Sequence, residues 1–447
     1  MRISSTMMSN NYLKQLNGTY EQYSKLMEQA DGSKLHRASD NAVGYSKYLR
    51  YQNNQISNEQ YQSNVSTASS WMKNADAALV NVTDLLQTFK AKVEQGSNST
   101  NNESDMKDIA KELLANVQEQ VADLNTQIGD RFLFAGQKDT TMPFEISADK
   151  MNRGDTFTLD EKQSAFFSGA TGWGDENTTV KQMLKLKGDD GNSYYMNVNT
   201  GDVYTEDFVK NGYKNEDKFD PKTQAVGNVT SGAAGTAKPK PYKVSDNFDQ
   251  YGVIKEGAAG SGVGTDYKKK ITVDGKDVNL TLSTTKQYIV KYAGDDKYIS
   301  MVKKNGGVDK ATDTVNVTGQ DINGCDLFDV GNDPHSGTAR LNQLLYTVAK
   351  LDGADYKWAG EQGMTIADSA HATVLGAQTK MAARQQAYNS SSSMLVTQNE
   401  SITSDISDVS STDVAQLATK LMEYQTIYSL SLSVGSKILP GTLADYL

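Results

Sequence analysis

All six prolines of this chain fall at positions 143, 221, 239, 241, 334 and 440, so residues 1–142 and 335–439 contain none. Of its 36 glycines, 28 lie between Gly136 and Gly363. Proline removes a helical N–H and clashes with the preceding turn, and glycine carries the highest entropic cost of any residue in a helix. Both ends of the chain are therefore open to long helices, and a turn-rich block separates them.

Apolar spacing fills in the ends. Leu13, Leu16, Tyr20, Tyr23 and Met27 recur at threes and fours, which predicts a helix over 6–29 stopped at Asp31-Gly32-Ser33, with Gly32 as a left-handed cap. Ser39, Asp40 or Asn41 can cap the next helix, which runs over 45–95 on the stripe Val65, Ala68, Met72, Ala75, Leu79, Val82, Leu86, Phe89 and Val93. Fifty helical residues make a rod on the order of 75 Å, too long for the core of an ordinary compact domain. After the polar turn 96–102 a third helix, capped near Ser104, carries Met106, Ala110, Leu113, Val117, Val121, Leu124 and Ile128. Helix returns near Thr338, and a longer one runs from Thr365 to about Ser404, through the serine cluster 390–393. At the C-terminal end Val414, Leu417, Leu421, Tyr424 and Tyr428 form one row, and Ile427, Leu430 and Val434 start a second, before Pro440-Gly441 ends the helix.

The middle changes period. Residues 271–273 and 278–282 alternate around Asp-Gly, which predicts a β-hairpin. Residues 287–292 with 297–302, and 194–198 with 202–205, read as two more. The runs 227–241 and 257–264 read as loops, the first dividing the block into two subdomains. The fold class expected is α+β: an elongated, antiparallel, coiled-coil-like bundle made by both chain ends, with an inserted β-rich domain. The expected divisions are 1–40 with 405–447 as a terminal helical pair, 41–137 with 338–404 as a helical rod, and 138–337 as the insert.

Chemistry is hard to find. The net charge of −10 argues against nucleic-acid binding. Cys325 is the single cysteine, so no internal disulfide is available, and a Cys325–His335 nucleophile pair is outweighed by a buried thiol. His36, His335 and His371 have no metal-ligand spacing. Asp189-Asp-Gly-Asn192 lacks the glutamate of a calcium loop and reads as a turn. No enzyme activity, cofactor or metal is expected. The opening residues show no signal-peptide core, and no apolar run reaches the ~20 residues of a membrane span.

The terminal rows are the candidate site. Two helices cannot enclose both the 414–428 and the 427–434 rows, and each apolar side chain left wet forfeits about 1.5–3 kcal/mol. The expected contact residues are Leu13, Leu16, Tyr20 and Tyr23 at one end. At the other they are Leu417, Leu421, Tyr424, Ile427, Tyr428, Leu430 and Val434.

The opening Met1-Arg-Ile-Ser-Ser, the loop 31–44 and Asp130-Arg-Phe-Leu-Phe-Ala-Gly136, with Pro143-Phe144 after it, resemble the flagellin superfamily of bacterial flagellar axial proteins. So do residues 406–415 and 437–447 at the close. The Leu-Phe-Ala-Gly and Pro-Phe elements are most similar to the branch that joins hook to filament. That resemblance implies a structural adaptor exported unfolded by the flagellar type III route, uncleaved, to the cell exterior. It implies a ring of copies contacting the first hook-associated protein and flagellin, with a cytosolic chaperone on the C-terminal helix. Two readings stay open beside it: a filament subunit, and a flagellin-like chain with an adhesive β insert.

Overall fold

The computed structural model describes residues 5–37, 39, 41–168, 180–212, 224–228, 248–255, 268–299, 314–324, 327–328 and 337–438. The chain is mostly helical, with long helices toward both ends and a β-rich region inserted between them. It divides into two compact units, residues 1–67 with 388–447 and residues 68–387. The 227–241 and 257–264 loops fall largely outside the described residues, as do Cys325, His335, residues 300–302 and the tail after 438.

The first unit holds four helical pieces. Helix α1 spans Ser5–Glu28, and Gly32 caps the short turn after it with φ +97°. Helix α2 spans Ala42–Gly96, and its first part belongs here. Asn41 supplies its cap, the side-chain oxygen accepting from the Gly44 N–H at 2.9 Å. The other two pieces come from the C-terminal side, a long helix ending at Ser410 and a last one over Val414–Ile438. Asn58 donates to Gln398, and Gln62 donates to the Leu395 carbonyl.

In the second unit, helix α3 (Glu103–Leu124) starts at Asn102, which forms a capping box with Asp105. The helix stops at Leu124, so Ile128 does not continue its stripe. It lies in strand β1 (Gln127–Ile128), paired with β2 (Arg131–Phe132). The α2 stripe is buried as spaced, with Met72, Leu79, Val82, Leu86, Phe89 and Val93 at 0 % exposure.

The main sheet is antiparallel, in the order β10-β11-β6-β7-β8-β9, with β5 (Thr156–Thr158) also on β6 (Gln182–Gly188). Strands β7 (Ser193–Met196) and β8 (Asp202–Thr205) form the expected hairpin, and β9 (Gly227–Asn228) pairs with β8. Strands β10 (Lys268–Val273) and β11 (Lys276–Leu282) form another around Asp274-Gly275, both at positive φ. Alternation buries both faces. Leu184, Leu186, Tyr194, Met196 and Val203 pack on one side with Phe248 and Phe328. Met183, Tyr195 and Tyr204 pack on the other with helix α4 (Glu161–Ser168) and helix α5 (Glu206–Asn211).

Among the described residues, the hairpin expected of 287–292 with 297–302 is not seen. Strand β13 (Val290–Tyr292) pairs with β3 (Phe144–Ile146), and β12 (Thr284–Gln287) pairs with β4 (Met151–Gly154). Local alternation marks a strand without choosing its partner. Here the Tyr292 hydroxyl donates to the Phe134 and Asp295 carbonyls, tying the chain after β13 to the Leu-Phe-Ala-Gly turn. Helix α6 (Gly319–Asn323) and helix α7 (Ala339–Asp352) follow, α7 packing along α3. A short turn over 356–358 and a π-helical segment over 359–363 lead into α8 (Met364–Ser410), which passes the serine cluster unbroken. The last helix is α9 (Val414–Ile438).

Candidate assembly interface

Helices α1 and α9 pack antiparallel in the first unit. The Tyr12 hydroxyl donates to the Ser431 carbonyl at 2.7 Å, and the Tyr20 and Tyr428 rings lie 5.7 Å apart. Gly435 is buried against Tyr12. At the other end of the pair, two loops are stitched together. The Lys34 N–H donates to the Ser410 carbonyl at 2.7 Å, and the Thr412 N–H donates to Gly32 at 3.0 Å. Asp413 then caps α9, its carboxylate accepting from the Ala415 and Gln416 N–H groups. Leu35, from the linker, is buried there at 6 % exposure.

The expected contact residues fall into two classes. Leu417 is buried, and Leu421, Tyr424 and Tyr428 are half-buried toward α1, as are Leu16 and Tyr23 on α1. Ile427, Leu430 and Val434 remain 41 %, 67 % and 44 % exposed. At 100° per residue this second row sits about 120° around α9 from the buried one, so a single partner helix cannot cover both.

On α1 the expected row splits. Leu16 and Tyr23 face α9 with Tyr12 and Leu26, whereas Leu13, Tyr20 and Met27, at an interval of seven, stay 43 %, 54 % and 52 % exposed. The signal for the inner row was available: Tyr12, Leu16, Thr19, Tyr23 and Leu26 alternate fours and threes without a gap.

This exposure is concentrated. Among the described residues, the large apolar side chains left open are Val80, Met142, Tyr298 and Leu375 in the second unit. All the others belong to the first, including Val43, Leu49 and Ile56 on α2 and Val414, Met422 and Leu432 on α9. Scattered apolar residues are normal on a surface, but rows of them at helical spacing mark contact sites.

The sites where chemistry was sought hold little. Asp190 takes the turn role read from the sequence, accepting from the Asn192 N–H and the Tyr194 hydroxyl. His36 lies 3.1 Å from Asp31 on the surface. Among the described residues, no three His, Cys, Asp or Glu side chains gather as metal ligands, and no helix is long and apolar enough to cross a membrane.

Residues 3–139 match the family described as the bacterial flagellin N-terminal helical region. The N-terminal third of this chain is thus similar to that helical region. A flagellin of Salmonella montevideo is 26 % identical over 307 residues, a stretch covering 60 % of this chain and 58 % of that protein. The chain thus spans less than two thirds of the length of the curated relatives it matches. Among solved structures, FlgL of Xanthomonas campestris is similar at a TM-score of 0.37 and 14 % identity, over 80 % of this chain and 99 % of that one. The flagellar junction protein FlgL of Legionella pneumophila is similar at 0.33 and 13 %, over 76 % and 98 %. The matched region takes in α1, α2, α3 and the Leu133-Phe-Ala-Gly136 turn, whose first three residues are 0 % exposed.

Proposed function

We propose that this chain is a non-enzymatic structural adaptor of the bacterial flagellum, hook-associated protein 3, which joins the hook end to the flagellin filament. The observation that carries the assembly role is the concentration of open apolar rows in the unit built from both chain ends. Residues 1–40 with 405–447 serve as the assembly core, residues 41–137 with 338–404 as the rod, and 138–337 as the outer insert. The contacts are made by Leu13 and the open side of Tyr20, whose ring also lies against Tyr428, on α1 and by Ile427, Leu430 and Val434 on α9. Leu16, Tyr23, Leu417, Leu421, Tyr424 and Tyr428 hold the pair together so that it presents those rows.

The partners are copies of the chain in a ring, the first hook-associated protein on one side and flagellin on the other. A cytosolic chaperone covers α9 before export by the type III route. The junction role, over that of a filament subunit, is supported by the likeness of Leu133-Phe-Ala-Gly136 and Pro143-Phe144 to the junction branch. Two measurements test the proposal. Deleting the gene should leave hooks without filaments and shed flagellin into the medium. The double variant Leu430→Asp, Val434→Asp should melt like the parent yet fail to restore motility. Normal incorporation of that variant would overturn the assignment of the open row.

A further inference from the structure

A cavity of about 650 Å³ in the second unit lies among the β5 end, α4, α6, the start of α7 and α8. Its volume is that of a small-molecule site. Arg340, at the start of α7, lines it and is 3 % exposed. The guanidinium donates from Nε to Asn323 Oδ1 at 3.0 Å and from Nη1 to Gln120 Oε1 at 2.6 Å, and Nη2 has no partner. Both acceptors are neutral amides, and among the described residues no carboxylate pairs with this buried cation.

Buried charges are ordinarily paired, and burial alone pushes Arg340 down to about 9. Three residues that line the cavity each carry a buried, unpartnered polar atom: Asn323 Nδ2, Thr158 Oγ1 and Gln182 Oε1. Asn323 is 2 % exposed and Thr158 5 % exposed.

These groups are of two kinds. Arg340 Nη2 and Asn323 Nδ2 are donors, and the positive end of the α7 dipole adds to them. Gln182 Oε1 is an acceptor, and the Thr158 hydroxyl accepts or donates. The acidic side chains of the cavity do not answer the guanidinium. Asp368 is paired with Lys90, Asp160 accepts from the Gln163 N–H, and Glu161 and Lys181 are the other charges on the lining. A ligand that satisfies this set carries one negative oxyanion and several hydroxyls.

We propose that the cavity binds a small hydroxy acid of up to monosaccharide size, its carboxylate held by Arg340 and Asn323 and its hydroxyls by Thr158 and Gln182. The site belongs to the second unit and is independent of the assembly role. The test is calorimetric titration of the full chain with D-glucuronate, with glucose and inorganic phosphate run alongside. Glucuronate should bind one per chain, glucose at least tenfold more weakly and phosphate more weakly than glucuronate.

Arg340→Met should lose at least tenfold in affinity. Because that variant removes a donor from two buried amides, Ser369→Trp provides the check on folding. It substitutes an exposed α8 position on the cavity wall, should melt like the parent and should also lose binding. No heat with glucuronate, phosphate binding as tightly as glucuronate, or unchanged binding in Ser369→Trp would each overturn the proposal.

Discussion

Gly32 and Gly136 share a left-handed backbone, at φ +97° and +70°, but not a neighbourhood. Around Gly32 nothing lies within 4 Å of where a Cβ would stand, whereas at Gly136 the Asp295 carbonyl oxygen lies 2.1 Å from that point. Gly32→Ala therefore meets only the cost of holding an L-residue in the left-handed region, about 1–2 kcal/mol. Its effect should appear as roughly fivefold or greater faster amide exchange in α1 and α9, since ~1 kcal/mol is about a factor of five. Gly136→Ala adds a backbone collision to the same strain and should destabilise the second unit by about 3 kcal/mol or more. Urea titration followed by Trp71 and Trp358 fluorescence separates the two, because no tryptophan lies in 1–67 or 388–447. Gln362 is a third single-residue support: its amide accepts from the Thr158 N–H at 2.9 Å and donates to the Thr158 carbonyl at 3.2 Å. Gln362→Leu would leave both buried backbone groups without partners, and should lower unfolding free energy by about 2–4 kcal/mol.

Elements differ in how far the chain announces them. Proline-free ends with unbroken rows become α1, α2, α3, α8 and α9, and the Asp274-Gly275 and 197–201 turns become hairpins, because helix and hairpin signals are local. The partner of Thr284–Tyr292 was not legible, since the choice between residues 297–302 and residues 144–154 rests on tertiary packing around Tyr292. Nor was the pairing of Arg340 with Gln120, 220 positions away. The row Leu13, Leu16, Tyr20, Tyr23 held both faces of α1, because threes and fours admit two neighbouring stripes on one helix. The sheet also sets a pH response. Burial pushes the hydroxyl of Tyr194 up to about 12, and raises Tyr195 and Tyr292 as well. A raised folded value gives stability that is complete below the unfolded value near 10 and is lost as pH climbs toward 12. Arg340, lowered by burial to about 9, and Lys185, also lowered by burial, act in the opposite sense, but they are fewer. The urea midpoint of the second unit should therefore fall steadily above pH 10. A flat midpoint from pH 9 to 11.5 would refute the burial of these tyrosines.

For the molecule as a whole the decisive quantity is how much open apolar surface one neighbour can cover. On α9 alone, Val414, Met422, Ile427, Leu430, Leu432 and Val434 are between 41 % and 69 % exposed. At about 1.5–3 kcal/mol for a fully buried side chain, covering what remains of these six is worth roughly 5–10 kcal/mol. Association costs an estimated 4–15 kcal/mol in lost freedom and side-chain ordering. One such contact is then near balance, and two or three made together are not. A chain with these numbers stays largely monomeric when dilute and adds firmly only where several neighbours offer helices at once. Sedimentation velocity should show monomer at about 1 μM, in the range where a single contact of this strength is too weak to hold. Reversible self-association should appear as concentration rises toward 100 μM. Ile427→Asp should remove that association without changing the melting of α1 and α9, because its side chain lies off the buried row. Leu417→Asp, on the buried row, should disrupt the pair itself. Equal behaviour of the two variants would mean that the inner and outer rows are not separate surfaces.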